Sequence, residues 1–520
     1  MVAHIRSSLL QGVESRPCEV EVDVDERGLD KQTVVGLPDA AVKESMERVR
    51  AAMGNSGYAF PLGRTLINLA PADLRKEGPV YDLPIAIGLL AAQGVVRTPR
   101  ERDGSGLDHR ACVVAGELAL DGRVRPIKGV IALASMARDL GARAVVVPSD
   151  NAQEAAVVEG IDALGVSTLA EAVGLFNGMI EEEPESPPDI AGLLATAEPG
   201  VDFADVRGQE SVKRAVVVAA AGGHNLLMLG PAGSGKTMMA KALPGVLPPL
   251  MPDEALEVTR VWSAAGLVPG GCGLIATRPV RSPHHTASSA AIVGGGQVPR
   301  PGEISLAHRG ILFLDELPEF PRPVLETLRQ PLEDQVVTIA RAHGTVRFPA
   351  DFMLVAAMNP TPKGDLLPGE SGRRAMERYL SRLSGPLLDR IDLHVEAPAV
   401  PWERLASAER GISSQDMRVQ VLAARELQRV RQGTIPNARL SGRQLDHLAP
   451  LDRAAEALVG QAVTELGLSA RAYDKVRRLA RTLADLDGAG EIALEHAAEA
   501  IGYRLLDRRV PAALGGAPRR

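Results

Sequence analysis

Valines at positions 20, 22 and 24 alternate with Glu21, Asp23 and Asp25, the period of two expected of a strand with one buried face. The spacing changes over residues 39–53, where Ala41, Val42, Met46, Val49 and Met53 recur as one face of a helix. A second strand is predicted over 65–69, stopped by Pro71, and the almost continuously apolar stretch 82–92 reads as a buried helix. Residues 112–116 predict a hairpin that runs through an Asp121-Gly122 turn to Val124. A helix from about Gly129 and an apolar strand over 144–147 complete the pattern of residues 1–178, which predicts one α/β domain.

Residues 179–200 break it. Glu181-Glu182-Glu183-Pro184-Glu185-Ser186-Pro187-Pro188 is acidic, proline-rich and has little to bury, as a linker does. From 201 to 401 short apolar strands alternate with glycine-rich loops, predicting a second α/β unit. From 402 to 520 the spacing is helical, over 417–431, 454–466 and 471–486, and residues 514–520 read as a frayed tail.

Composition narrows the class without naming it. At 45% hydrophobic and 24% charged residues, the 520-residue chain is globular material, which excludes disorder throughout and a fibrous fold. No stretch approaches the roughly 18 uncharged apolar residues of a membrane span, and the start lacks the apolar core of a secretory signal, so a cytoplasmic protein is expected. Cys18, Cys112 and Cys272 are too scattered for a disulfide framework or a cysteine zinc site. The formal charge, 58 − 65 = −7, leaves a locally basic channel open. Only nine of the 58 basic residues are lysines, so a lysine inside a motif carries weight.

One such lysine is Lys236. The apolar run Leu226-Leu227-Met228-Leu229 leads into Gly230-Pro231-Ala232-Gly233-Ser234-Gly235-Lys236-Thr237, followed by a helical pattern over 238–243. That strand, G-x-x-x-x-G-K-T loop and helix form the arrangement that wraps backbone N–H groups around phosphates, with Lys236 reaching the β/γ-phosphates of ATP and Thr237 ligating Mg²⁺. Hydrolysis needs further carboxylates at a neighbouring strand end. The strand predicted over 310–314 ends in Asp315, assigned to Mg²⁺, and Glu316, assigned to polarising the attacking water. A third strand, 354–358, ends in Asn359, an amide suited to orienting the water or the γ-phosphate.

Longer motifs add a family. Arg281-Ser282-Pro283-His284-His285-Thr286, Gly294-Gly295-Gly296, Pro301-Gly302-Glu303-Ile304-Ser305-Leu306-Ala307-His308 and Ser384-Gly385-Pro386-Leu387-Leu388-Asp389-Arg390-Ile391-Asp392 resemble the magnesium-chelatase-like branch of the AAA+ ATPases. With the N-terminal region, nearly the whole chain resembles the YifB/ComM family. The resemblance implies a Lon-protease-like (ribosomal S5-like) α/β domain, a P-loop AAA+ α/β core and a C-terminal α-helical lid. It further implies a homo-hexamer with ATP between subunits, acting as a branch-migration helicase on single-stranded or branched DNA in natural transformation, beside recombination proteins. On that resemblance Arg390 is similar to the arginine finger inserted into a neighbour's site, Arg471 to the lid arginine that senses the γ-phosphate, and Val206 and Gly208 to adenine-side contacts. Residues 278–300 and a hairpin over 338–348 would face the pore, with Arg341, His343 and Arg347 around a turn at Gly344 gripping phosphates without reading bases. The adjacent His284 and His285, with no further ligands in reach of the pattern, read as structural rather than metal-binding.

Two departures from the family pattern matter. Lys76-Glu77-Gly78-Pro79 resembles a Lon motif whose next residue is the nucleophilic serine, and here it is Val80; basic positions of the second Lon motif fall on Ile131 and Leu133. A serine–lysine dyad needs both groups, so no protease activity is expected. Many relatives carry a cysteine cluster after the third-strand asparagine, whereas this chain reads Asn359-Pro360-Thr361-Pro362-Lys363-Gly364-Asp365 with no cysteine after Cys272, so no zinc is expected there. The alternative reading keeps the ATPase and changes its client, to a protein remodelled by a chelatase-type or MoxR-like enzyme.

Overall fold

The computed structural model describes residues 2–25, 28, 31–99, 106–181, 183–197, 200–296, 299–341, 344–361, 370–402, 411–504 and 506. Its first sheet has seven strands: β1 (Val2–Gln11), β2 (Glu14–Asp25), β3 (Lys31–Val35), β4 (Arg64–Ala70), β5 (Cys112–Val114), β8 (Ala144–Pro148) and β9 (Asp162–Val166), ordered β3-β4-β2-β1-β5-β8-β9. The alternation read in β2 is realised, with Val20 and Val22 buried and Asp23 exposed. β1 and β2 are antiparallel from Val2↔Asp23 to Gln11↔Glu14, and Gly12, at φ 71°, turns the chain between them. β8 is buried along its whole length, which is why it reads as a continuous apolar run.

The hairpin expected from 112 to 124 forms differently. β5 runs parallel to β1 and β8 inside the sheet, and the antiparallel partners across the Asp121-Gly122 turn are β6 (Glu117–Leu118) and β7 (Val124–Arg125). The competing principle is burial: Cys112, Val113 and Val114 are all enclosed, which a solvent-facing hairpin would not allow.

The second sheet is parallel throughout. It contains β10 (Leu226–Leu229), β11 (Val280–Arg281), β14 (Ile311–Leu314), β17 (Met353–Met358) and β18 (Leu393–Glu396), in the order β11-β14-β17-β10-β18. Ligands of such sheets bind beyond the carboxyl ends of the strands. Here those ends carry the phosphate loop, Asp315-Glu316, Asn359 and the segment after β11. Two small ribbons project from this unit, β12 (Gly294–Gly295) with β13 (Arg300–Pro301), and β15 (Val336–Arg341) with β16 (Gly344–Pro349). Arg341 pairs with Gly344, so Gly344 opens the return strand rather than forming the turn expected there.

The first unit sits against the second. The Gly129 N–H donates to the Ser263 carbonyl at 3.0 Å. The tip of the β1–β2 turn rests on β16, where a Cβ added to Gly12 would stand 2.5 Å from Val346.

Residues 411–504 are helical, in Ser414–Gln432, Gly442–Leu448, Arg453–Leu466, Ala470–Leu486 and Leu494–Gly502. The side chains of Ser413, Asp452 and Ser469 accept the hydrogen bonds that open three of these helices. Their apolar stripes, including Met417, Val421, Val476, Leu479 and Leu483, join one buried cluster with Leu226, Met228, Val355 and Leu393 of the sheet.

Polar groups are enclosed at this junction. Burial holds His224 and His394 below the usual histidine range, against the pull of the nearby Asp392 carboxylate. Both are therefore neutral when folded, while the unfolded chain binds protons at them below about pH 6.5. The unfolded state then carries more protons, and stability falls as pH drops, by up to about 1.4 kcal/mol per pH unit for each group. Melting temperatures between pH 7.5 and 5.5 test this: the His394→Gln variant should show a shallower acid decline than the unaltered chain, and an identical slope would refute it.

Candidate active site

β10 leads into Gly230, where there is no room for a side chain: a Cβ would come 2.0 Å from the Ala397 carbonyl oxygen after β18. The loop then swings out, with Gly233 at φ 78° and Gly235 at φ 88°. These are left-handed positions suited to glycine. Among the described residues nothing lies within 4 Å of a Cβ built on either glycine, so side chains there would enter the space in front of the loop. That space is a cavity of about 380 Å³ lined by Ala232, Gly233, Ser234, Gly235, Lys236, Thr237, Met238, Asp315, Glu316 and Asn359.

Lys236 is buried and donates to the carbonyls of Gly230 and Pro231, both at 2.8 Å, and to the Oδ1 of Asn359 at 3.3 Å. Burial lowers its affinity for the proton, and Asp315 and Glu316 oppose that shift. The ammonium thus links two strand ends across the cavity floor. Thr237 Oγ1 donates to Asp315 Oδ2 at 2.8 Å. A hydroxyl and a carboxylate oxygen so placed are the hard donors that Mg²⁺ accepts, and the glycine cradle and buried ammonium fit a polyphosphate. Glu316 follows with φ 53°, a left-handed conformation that costs energy for a bulky residue, and its N–H donates to Asp315 Oδ1 at 3.0 Å.

The other residues expected at the site lie elsewhere in this chain. Val206 is buried and Gly208 has φ 63°; neither lines the cavity. Arg390 makes an ion pair with Glu333 and donates to the Pro386 carbonyl at 2.7 Å and to the Arg329 carbonyl at 3.1 Å. Arg471 is exposed in the first turn of Ala470–Leu486. Arg347 is exposed on β16, while the side chain of Arg341 and all of His343 lie outside the described residues. In the N-terminal unit Val80 is half-buried among apolar side chains, Ile131 and Leu133 are buried, and the Lys76 amine donates to the Pro71 carbonyl.

Sequence reasoning missed two contributors. Gln209, at φ 61°, donates through Nε2 to the Ser234 carbonyl at 3.1 Å and the Pro398 carbonyl at 2.7 Å, strapping the phosphate loop to the chain beyond β18. His285 places Nδ1 3.5 Å from Glu316 Oε2. No spacing signals either contact, because both depend on which strands are neighbours. The motif around Glu303 also gains a physical reason: its carboxylate receives Arg281 Nε at 2.6 Å and Nη2 at 2.8 Å, fixing the exit of β11.

Replacing Lys236 with Ala should weaken binding of an ATP analogue at least ~10²-fold, since two charge-assisted hydrogen bonds to phosphate contribute about 3 kcal/mol or more. Equilibrium titration with a fluorescent analogue reads this, and unchanged affinity would refute the phosphate assignment.

Residues 202–405 match the family model for magnesium chelatase, subunit ChlI; residues 20–151 match that for subunit ChlI of Mg-chelatase; residues 411–504 match the ChlI C-terminal model. The chain is 44% identical to YifB of Salmonella typhimurium, over 98% of this chain and 97% of that protein. It is 43% identical to the competence protein ComM of Haemophilus influenzae, over 98% of both, and 42% identical to YifB of Escherichia coli, over 98% and 97%.

Proposed function

The chain belongs to the YifB/ComM family of magnesium-chelatase-like AAA+ proteins, and from that premise we propose that it is an ATP-hydrolysing motor acting on single-stranded or branched DNA. The observation that carries the ATPase part is the convergence of Lys236, Thr237, Asp315, Glu316 and Asn359 on one cavity. Bound Mg²⁺, held by Thr237 and Asp315, would draw charge from the β- and γ-phosphates. Lys236 neutralises the same phosphates, Glu316 orients and deprotonates the attacking water, and Asn359 holds the ammonium and the water in register.

The DNA part rests on the ComM relationship and on the exposed Arg347 of the β15–β16 ribbon. In this reading the motor is a hexamer in natural transformation or recombination, without zinc, and its parts are residues 1–178 as a proteolytically inactive Lon-like domain, 179–200 as linker, 201–401 as core and 402–520 as lid. Arg390 serves the neighbouring subunit's nucleotide. Its guanidinium is held by Glu333 within the chain, so engaging a neighbour requires exchanging that partner. Arg471, exposed at the start of its helix, serves in this reading as the arginine that senses the γ-phosphate.

The test is steady-state ATP turnover with and without single-stranded and forked DNA at several salt concentrations. Stimulation should weaken as salt rises, because each phosphate contact on single strands contributes a log–log slope of about −0.7. Turnover that ignores DNA at every salt concentration would shift the client to a protein.

A further inference from the structure

We infer that His285 is a positioning residue for hydrolysis, holding the carboxylate of Glu316 in the orientation from which it activates water. This deepens the reading above and rests on the assignment of Glu316 as base.

A glutamate side chain has three rotatable bonds and loses rotamer freedom when it is fixed. The main chain fixes only one end of Glu316, through its left-handed φ of 53° and the N–H bond to Asp315. The carboxylate end meets His285, whose Nδ1 stands 3.5 Å from Oε2, at the cavity that Glu316 lines. His285 is itself held in a built loop. Its ring stacks at 4.1 Å on His284 and meets the edge of Phe320 at 6.4 Å. The Ala287 N–H donates to the His284 carbonyl at 2.9 Å, and the His284 ring lies 2.9 Å from the Thr286 hydroxyl. Upstream, Arg281 forks onto Glu303 and lies 5.6 Å over the Trp262 ring. The loop is brought to Glu316 by strand order, since β11 pairs with β14 in parallel and the two chains emerge side by side. The pair of histidines that reads as structural from sequence therefore has one member fixed against the proposed base.

The experiment measures single-turnover hydrolysis and analogue binding on the full chain for His285→Ala, His285→Asn, Glu316→Gln and the double variant His285→Ala/Glu316→Gln. His285→Ala should lower the hydrolysis rate about tenfold, the low end of the range for partners that orient an active group, with nucleotide affinity within about twofold. His285→Asn keeps an amide donor near the Nδ1 position and should recover most of the rate. In the Glu316→Gln background the alanine change should add nothing, because its effect runs through the carboxylate. An unchanged rate in His285→Ala beside a crippled Glu316→Gln would overturn the inference alone. So would an equal loss in both backgrounds, which marks a general structural effect. Normal hydrolysis by Glu316→Gln would remove the base assignment, and the inference with it.

Discussion

Glu316→Gln is expected to bind ATP as the unaltered chain does and to hydrolyse it about 10²–10⁴-fold more slowly, the usual contribution of a positioned general base. The amide has the same shape and keeps the backbone contacts, so the phosphate loop, whose carbonyls are tied to Lys236 and Gln209, is untouched. What disappears is the group that accepts a proton from water. Affinity and chemistry therefore separate, in contrast to Lys236→Ala, which strikes binding first. Quenched-flow hydrolysis beside analogue titration resolves the two. A Glu316→Gln rate within about threefold of the parent would mean that the water is activated by another group, since so small a change lies below what a general base contributes.

The parts of this site that were legible from sequence are those encoded by contiguous residues. The β10 run and its glycine loop are local, and β14 and β17 are fully apolar runs whose ends are marked by Asp315 and Asn359, so their limits were readable to within a residue. β1 was not read as a strand because Ser7 and Ser8 occupy buried positions and blur its alternation. β18 is four residues long and hides a buried histidine, His394, which no hydrophobic pattern marks. β5 departs from the expected hairpin because a three-residue apolar run fits a hairpin and an inner parallel strand equally well, and only distant chain segments decide between them.

The same limit governs the site. Lys236 and Thr237 come from one motif, but their bonds to Asn359 and Asp315 cross from β10 to β17 and β14. The general requirement of hydrolysis for carboxylates and an amide at neighbouring strand ends supplied that adjacency. It supplied nothing for His285, which reaches Glu316 only because β11 is the neighbour of β14. Val206 and Gly208 were placed by resemblance, and in this chain the adjoining Gln209 is the residue that touches the phosphate loop.

The stability of the junction between sheet and helical segment should depend most on Asp392, and Asp392→Ala is expected to cost about 3–5 kcal/mol. Burial pushes its carboxyl up, but Lys475 and His224 outweigh that and hold it well below the usual carboxylate range. Its oxygens receive the Lys475 ammonium at 3.0 Å and the Asn225 N–H at 3.1 Å, with the His224 Nδ1 at 3.5 Å. Among the described residues, truncation leaves the buried ammonium with the Ile391 carbonyl, at 3.3 Å, as its one remaining hydrogen-bond acceptor. The same Asn225 uses its side chain on the Arg390 carbonyl at 2.9 Å and the Leu354 N–H at 2.8 Å, so together with the Asp392–Lys475 pair the network ties β17, the Arg390 segment and the helix Ala470–Leu486 together. A generic loss of packing would be additive with Lys475→Met; an unpaired charge would not. The double variant Asp392→Ala/Lys475→Met should therefore be more stable than Asp392→Ala alone, because removing the stranded ammonium relieves its burial. Denaturant midpoints of the three variants decide the matter: a double variant less stable than either single one would show that the charge pairing contributes nothing to this junction.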